Sequence, residues 1–137
     1  MKYLIIFISI FLASYYPFST AANRGTEKGW AAPPDADKVL NPLMRNAYSA
    51  AEGKKTYMQI CVVCHGDKGK GDGIGGLALN PRPANFSSQK VQIQTDGAIF
   101  WKITEGRPPM ASYKTILSET QRWQLVNYIR TFNSLKK

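Results

Sequence analysis

Both cysteines and the only histidine of this 137-residue chain fall within five consecutive residues, Cys61-Val62-Val63-Cys64-His65. On a helical turn, positions i, i+3 and i+4 share one face, so two thiols and an imidazole can address one flat ligand. A Cys-x-x-Cys-His run is the spacing for covalent attachment of a c-type haem. The sulfurs of Cys61 and Cys64 would bond to the porphyrin, and His65 would ligate its iron. Other chemistries suit these residues less well. A zinc site needs four ligands, and no Cys or His remains to complete one. A thioredoxin-like redox pair belongs to a βαβ setting, and nothing here alternates strand with helix. A plain Cys61–Cys64 disulfide would leave His65 without a role.

With its histidine spent, the chain must find a different donor for the other face of the iron or leave that face open. Outside the first residue it has three methionines, Met44, Met58 and Met110. Met58 lies on the approach to His65 and would have to cross the porphyrin, and Met44 sits in an irregular N-terminal stretch. Met110 follows Arg107-Pro108-Pro109, a stiff non-helical segment between two expected helices, and is the expected sixth ligand. A thioether there raises the reduction potential and leaves no open coordination position. The expected activity is therefore one-electron transfer and not catalysis, with an open-iron sensor or catalyst as the alternative if Met110 does not bind.

The elements that must position these groups can be read in order. Residues 1–22 carry one charge, Lys2, then an apolar run from Tyr3 to Ala13 and small residues near Ala21-Ala22, the layout of a signal peptide cut after Ala22. An uncleaved anchor is the competing reading. Residues 23–48 form an arm broken by Pro33-Pro34 and Asn41-Pro42, with Trp30, Val39 and Leu43 available to pack. A first helix is expected from a capping box, Ser49-Ala50-Ala51-Glu52, through Gly53, Tyr57 and Ile60 into the cysteine motif. Residues 66–76 hold six glycines and read as a loop passing over a haem edge; they lack the strand, helix and Gly-Lys-Ser/Thr ending of a phosphate loop. A second helix is expected from a Thr95 cap to Glu105, with Ile99, Phe100 and Ile103 inward and Gly106 ending it. A third starts at the Ser118-Glu119-Thr120-Gln121 box and carries the apolar stripe Trp123, Leu125, Val126, Tyr128, Ile129 and Phe132. The sum is one mostly helical domain.

Eighteen Lys and Arg against nine Asp and Glu give a formal charge of +9. The basic residues are scattered and no nucleic-acid motif accompanies them, so nucleic acid is not the expected partner. For an exported haem protein the better expectation is a positive face that steers encounter with redox proteins carrying acidic docking surfaces.

Taken together, Gly53 and Tyr57, Cys61-x-x-Cys64-His65, the glycine-rich loop, the prolines after it, Met110, and Leu125 with Tyr128 resemble a class I c-type cytochrome with one haem, over residues 49 to 133. The resemblance implies an all-α fold of about three main helices around one covalent haem c, in a cytochrome c domain spanning 49–137. It implies that the first and last helices cross, bringing Gly53 and Tyr57 against Leu125 and Tyr128. It further implies that a proline carbonyl, of Pro81 or Pro83, accepts the Nδ1 proton of His65 and so orients the ring. Many relatives place proline directly after the axial methionine, where this chain has Ala111. More narrowly, the arm, Gly71-Asp72-Gly73, the run 80–86 and Arg122-Trp123 are similar to small monohaem subunits of bacterial quinol-oxidising complexes, notably alternative complex III. That likeness implies a periplasmic or exported place in a respiratory chain, as subunit or dedicated carrier of a membrane complex, with peripheral membrane association. Arg82, Trp101 and Arg107 are candidates to meet the haem propionates.

Overall fold

The first long helix does not begin where its sequence signature suggests. In the computed structural model, which describes residues 30–133, α1 spans Ala47–Thr56 and is capped by Asn46, whose side chain accepts from the Ser49 N–H at 3.0 Å. The expected Ser49–Glu52 box is therefore not formed. Ser49 is buried, and its hydroxyl accepts instead from Asn127 Nδ2 at 2.9 Å; Glu52 turns to Lys55, 2.6 Å away. A polar group taken out of water needs a partner, and the contact with the last helix outbids the local cap. The leader expected over 1–22 lies outside the described residues, as do the first residues of the arm.

From α1 the chain continues through a π-helical turn, Tyr57–Cys61, into the short α2, Val62–His65. After irregular chain come a single turn α3, Gln89–Gln92, then α4, Asp96–Glu105, and α5, Glu119–Thr131. The other two helix starts are as expected. Thr95 caps α4 through the Ala98 N–H, and Ser118 with Gln121 forms a complete capping box on α5. Gly106 follows the end of α4. The short α3 has no sequence signature beyond Ser88 and is an addition to the expected three helices.

α1 crosses α5 at Gly53, where a Cβ would overlap the Gln124 carbonyl. Only glycine lets the two backbones come this close. One turn on, the ring of Tyr57 meets that of Tyr128 edge to face, 5.0 Å apart, and Leu125 is buried beside it. The core continues through Ile99, Ile103, Leu117, Trp123, Val126 and Ile129, with Phe100 stacked on Trp123 at 4.0 Å.

The arm is strapped to this frame by hydrogen bonds. Asn41 Nδ2 donates to Asp96 Oδ2 and to Asn127 Oδ1, both at 2.8 Å, and Asn127 returns a bond to the Leu43 carbonyl at 2.6 Å. Arg130 grips the same Asp96 at 2.7 Å and donates to the carbonyls of Gln92 and Gln94. Arm, α4 and α5 thus share one part-buried polar knot. Ala36, in a 3-10 turn, and Leu43 pack inward, while Val39 stays half exposed.

Replacing Gly53 by alanine is expected to destabilise the haem-loaded protein by about 1–3 kcal/mol through overpacking at the crossing. Urea unfolding followed by far-UV circular dichroism measures it, and a loss under about 0.5 kcal/mol, the range of an ordinary surface substitution, would contradict the close approach.

Candidate functional site

Beneath the α1–α5 crossing lies a cavity of about 340 Å³ with mainly apolar walls. Cys61, Cys64 and His65 reach it from the end of the first helical run, and Met110 reaches it from the loop after α4. Pro81, Arg82, Pro83 and Ala84 line it from the proline segment, and Arg107 and Tyr113 from either side of Met110. Of the expected site residues only Trp101 is absent from the wall. It lies on α4 between Phe100, which stacks on Trp123, and Lys102, which does reach the cavity; the helix turns the intervening residue away.

The His65 ring is held by two neighbours. Its Nδ1 lies 3.3 Å from the carbonyl oxygen of Ala84. A carbonyl can only accept, so Nδ1 carries the proton and Nε2 keeps the lone pair with which an imidazole can ligate a metal. The expected acceptor was the carbonyl of Pro81 or Pro83; it belongs instead to Ala84, the residue after Pro83. The prolines stiffen the segment, and it is anchored three residues beyond Pro83, where the Phe86 N–H donates to the Gly69 carbonyl of the glycine-rich loop at 2.6 Å. Phe86 itself stacks on the imidazole, with ring centroids 4.3 Å apart. Burial pushes the imidazole below its ordinary pKa, opposed by the Ala84 hydrogen bond, and so favours the neutral ring that ligates metals.

The glycine-rich loop packs on the cysteine turn. Gly73 lies against the carbonyls of Val62 and Val63, where any Cβ would overlap the backbone. The loop therefore wraps the outer side of the cysteine turn, and its Gly71 N–H donates to the His65 carbonyl at 2.9 Å. Deeper in, the Tyr57 hydroxyl donates to the Gly66 carbonyl at 2.6 Å, which ends the turn just after His65.

Both thiols are free, so the competing disulfide is not formed. Burial, with a smaller contribution from Cys64, pushes the Cys61 thiol up to about 12. A thioether has no such charge to bury, which suits this wall to a bonded porphyrin. Met110 is positioned by its own loop: Arg107 and Met110 exchange backbone hydrogen bonds at 3.0 and 2.8 Å. The following residues are tied to α4, Ser112 Oγ donating to the Thr104 carbonyl at 2.6 Å and Tyr113 N–H to the Ile103 carbonyl at 3.2 Å. Arg122 secures the far side, donating through Nη1 to the carbonyls of Lys114 and Leu117. A mainly apolar cavity with two thiols, an imidazole and a thioether on its walls fits a covalent haem. Among the described residues, no group of three or more His, Cys, Asp or Glu could hold a metal ion instead.

The sequence model of the family described as cytochrome c oxidase, cbb3-type, subunit III matches residues 49–129, the stretch that builds this cavity. The chain belongs to that family. It is an all-α class I c-type cytochrome with covalently bound haem c, and it serves haem-based electron transfer. The cytochrome is 36% identical over 129 residues to the thiosulfate dehydrogenase of Stutzerimonas stutzeri, covering 90% of this chain and 39% of that one. It thus spans well under half the length of that relative. Among solved structures it is similar to a chain of the Kuenenia stuttgartiensis reducing HAO-like protein complex Kustc0457/Kustc0458, with a TM-score of 0.61 and 26% identity over 70% of this chain and 50% of that one. The KustC0563 c-type cytochrome is also similar, with a TM-score of 0.52 and 32% identity over 60% of this chain and 98% of the other.

Several wall residues of the cytochrome carry no signal in a single sequence. Ala84, Tyr113 and Lys102 are ordinary residue types in ordinary contexts. Phe86 and Trp30 are visible as aromatics beside prolines, but nothing local says which cavity they face.

Tyr57→Phe is expected to cost about 1–2 kcal/mol by leaving the Gly66 carbonyl unsatisfied. Burial raises the Tyr57 phenol above its ordinary 10.0, so its contribution is complete below pH 10 and declines as the pH rises further. The stability gap between parent and variant, measured by urea unfolding at pH 8 and pH 11, should narrow at the higher pH; a gap that widens contradicts the buried hydrogen bond.

Proposed function

We propose that the cytochrome carries its haem on Cys61 and Cys64, with His65 and Met110 as the axial ligands, and passes single electrons as a subunit or dedicated carrier of a membrane respiratory complex. One observation carries the reading: the only two thiols, the only imidazole and a loop-held thioether converge on one cavity. Haem c supplies a one-electron iron couple when bound. The chain's own part is to hold that couple still and dry. The Ala84 carbonyl and the Phe86 ring fix the His65 plane, and the Arg107–Met110 turn fixes the thioether, so little has to move when the charge changes. With both axial positions taken there is no site for substrate, which leaves electron transfer as the function.

The working place is the periplasm or an equivalent exported space. Among the described residues no helix is long and apolar enough to cross a membrane; any attachment would come from the apolar residues 3–13 or from a partner. The likeness to part of a thiosulfate dehydrogenase, and to a chain of a reducing HAO-like protein complex, supports a role beside other redox subunits. The net charge of +9 favours a second reading, a diffusing carrier that docks on acidic partners. Washing membranes with salt separates the two: retention through the wash marks a subunit, release marks the carrier.

Met110→Ala is expected to abolish the weak far-red iron–sulfur band of the oxidised protein and to permit rapid carbon monoxide binding by the reduced one. The midpoint potential should fall by more than about 59 mV, tenfold in a one-electron equilibrium. Retention of the far-red band in this variant would remove Met110 from the iron. Changing Cys61 and Cys64 together to serine should abolish haem that survives denaturing electrophoresis.

A further inference from the structure

The N-terminal arm is fastened on one side and bare on the other. Asn41 and the Leu43 carbonyl are taken up by the knot with Asp96 and Asn127, and Thr95 donates to Asp37 at 2.7 Å. At Gly97 the arm's backbone lies directly on α4, where a Cβ would overlap the Ala36 carbonyl. Two consecutive turns, closed by Met44 N–H to the Asn41 carbonyl and Asn46 N–H to the Leu43 carbonyl, keep the stretch compact. Its outward side chains are large and apolar: Leu40 is 87% exposed, Met44 64%, and Tyr48, on the first turn of α1, 72%. None of the three lines the haem cavity. Between Met44 and Tyr48 stands Arg45, the one non-glycine residue among those described with a positive φ, 59°. Glycine or asparagine would adopt that conformation at lower cost. The Arg45 guanidinium makes no ion pair or hydrogen bond with a described residue. The acids near it in sequence are taken, Asp35 by Lys38 and Glu52 by Lys55. Folding gives no account of this arginine or of the bare side chains around it.

Resting on the subunit reading proposed above, we infer that Leu40, Met44, Arg45 and Tyr48 form the face by which the cytochrome docks on a protein subunit that offers an apolar recess edged by a carboxylate. Tyrosine, methionine and arginine are the residue types enriched at protein interfaces, and tyrosine and arginine dominate their energetics. An arginine without a partner of its own, set in an apolar patch, is complementary to a carboxylate. The knot beneath the arm holds the face in one shape, so little freedom is lost on docking. Apolar contact also outlasts a salt wash, which screens a contact made by exposed charges alone. Because these residues stand off the cavity wall, the contact attaches the domain without covering the haem site. Attachment and electron exchange use different surfaces.

The test supplies full-length, haem-loaded protein to membranes of cells that lack it and measures saturable binding by sedimentation after a high-salt wash. The parent should be retained. Leu40→Ser with Met44→Ser, Tyr48→Ser, and Arg45→Gly should each weaken the apparent affinity by about tenfold or more. Arg45→Gly is the sharpest of these, because it should leave the urea midpoint unchanged or raised while it lowers binding; it still decides if another variant does not fold. Variants retained as well as the parent would overturn the docking face alone, whereas release of the parent by salt would overturn the subunit reading and the face with it. On protein-free vesicles of lipid extracted from the same membranes, parent and variants should bind alike, since all carry the same N-terminal residues. A difference there as large as on the membranes would give the face to lipid and overturn the protein partner. A parent that is dimeric in dilute solution, with monomeric variants, would give the face to a second copy and overturn it equally.

Discussion

The approach of α1 to α5 at Gly53 is the constraint from which the rest of the molecule follows. A side chain there would hold the two helices apart. With the backbones in contact, Tyr57 comes to lie between Tyr128, Phe132 and Phe86, and its hydroxyl reaches the Gly66 carbonyl. The same crossing takes Ser49 out of water and hands its hydroxyl to Asn127. A helix start, an aromatic cluster and the end of the cysteine turn are thus set by one contact between glycine and backbone.

Around that frame, the site is built by loops that borrow rigidity from helices. His65 is oriented by a carbonyl from the proline segment and a ring two residues on, while the glycine-rich loop braces the outer side of the same turn. Met110 sits in a short turn tied to α4 by the two residues after Ala111 and steadied by Arg122 of α5. On the proposed ligation such bracing would ease electron transfer, since the ligands would not have to rearrange between oxidation states. The polar knot at Asp96 extends the bracing to the arm, and so brings Trp30 to the cavity.

Charge is distributed in keeping with this. Arg122, the one buried arginine among the described residues, is used structurally, its guanidinium donating to loop carbonyls and lying over the Phe100 ring at 5.2 Å. Arg82, Lys102 and Arg107 line the cavity wall. Exposed pairs such as Lys38–Asp35 contribute little to stability, because water and salt screen them.

Much of the chemistry was legible in the residues alone. Cys61, Cys64 and His65 declare themselves because a five-residue spacing is a local property, and the caps at Thr95 and Ser118 declare themselves for the same reason. Met110 stood out by elimination and by the stiffness of the prolines before it. What could not be read were partners distant in the chain: Ala84 in place of Pro81 or Pro83, Ser49 drawn from its cap to Asn127, the glycine loop on the outer side of the cysteine turn, Trp30 in place of Trp101. Each depends on which surfaces meet when α1 crosses α5 and the arm folds back. Spacing along a chain dictates which groups can share a turn; only close packing dictates which turn they face.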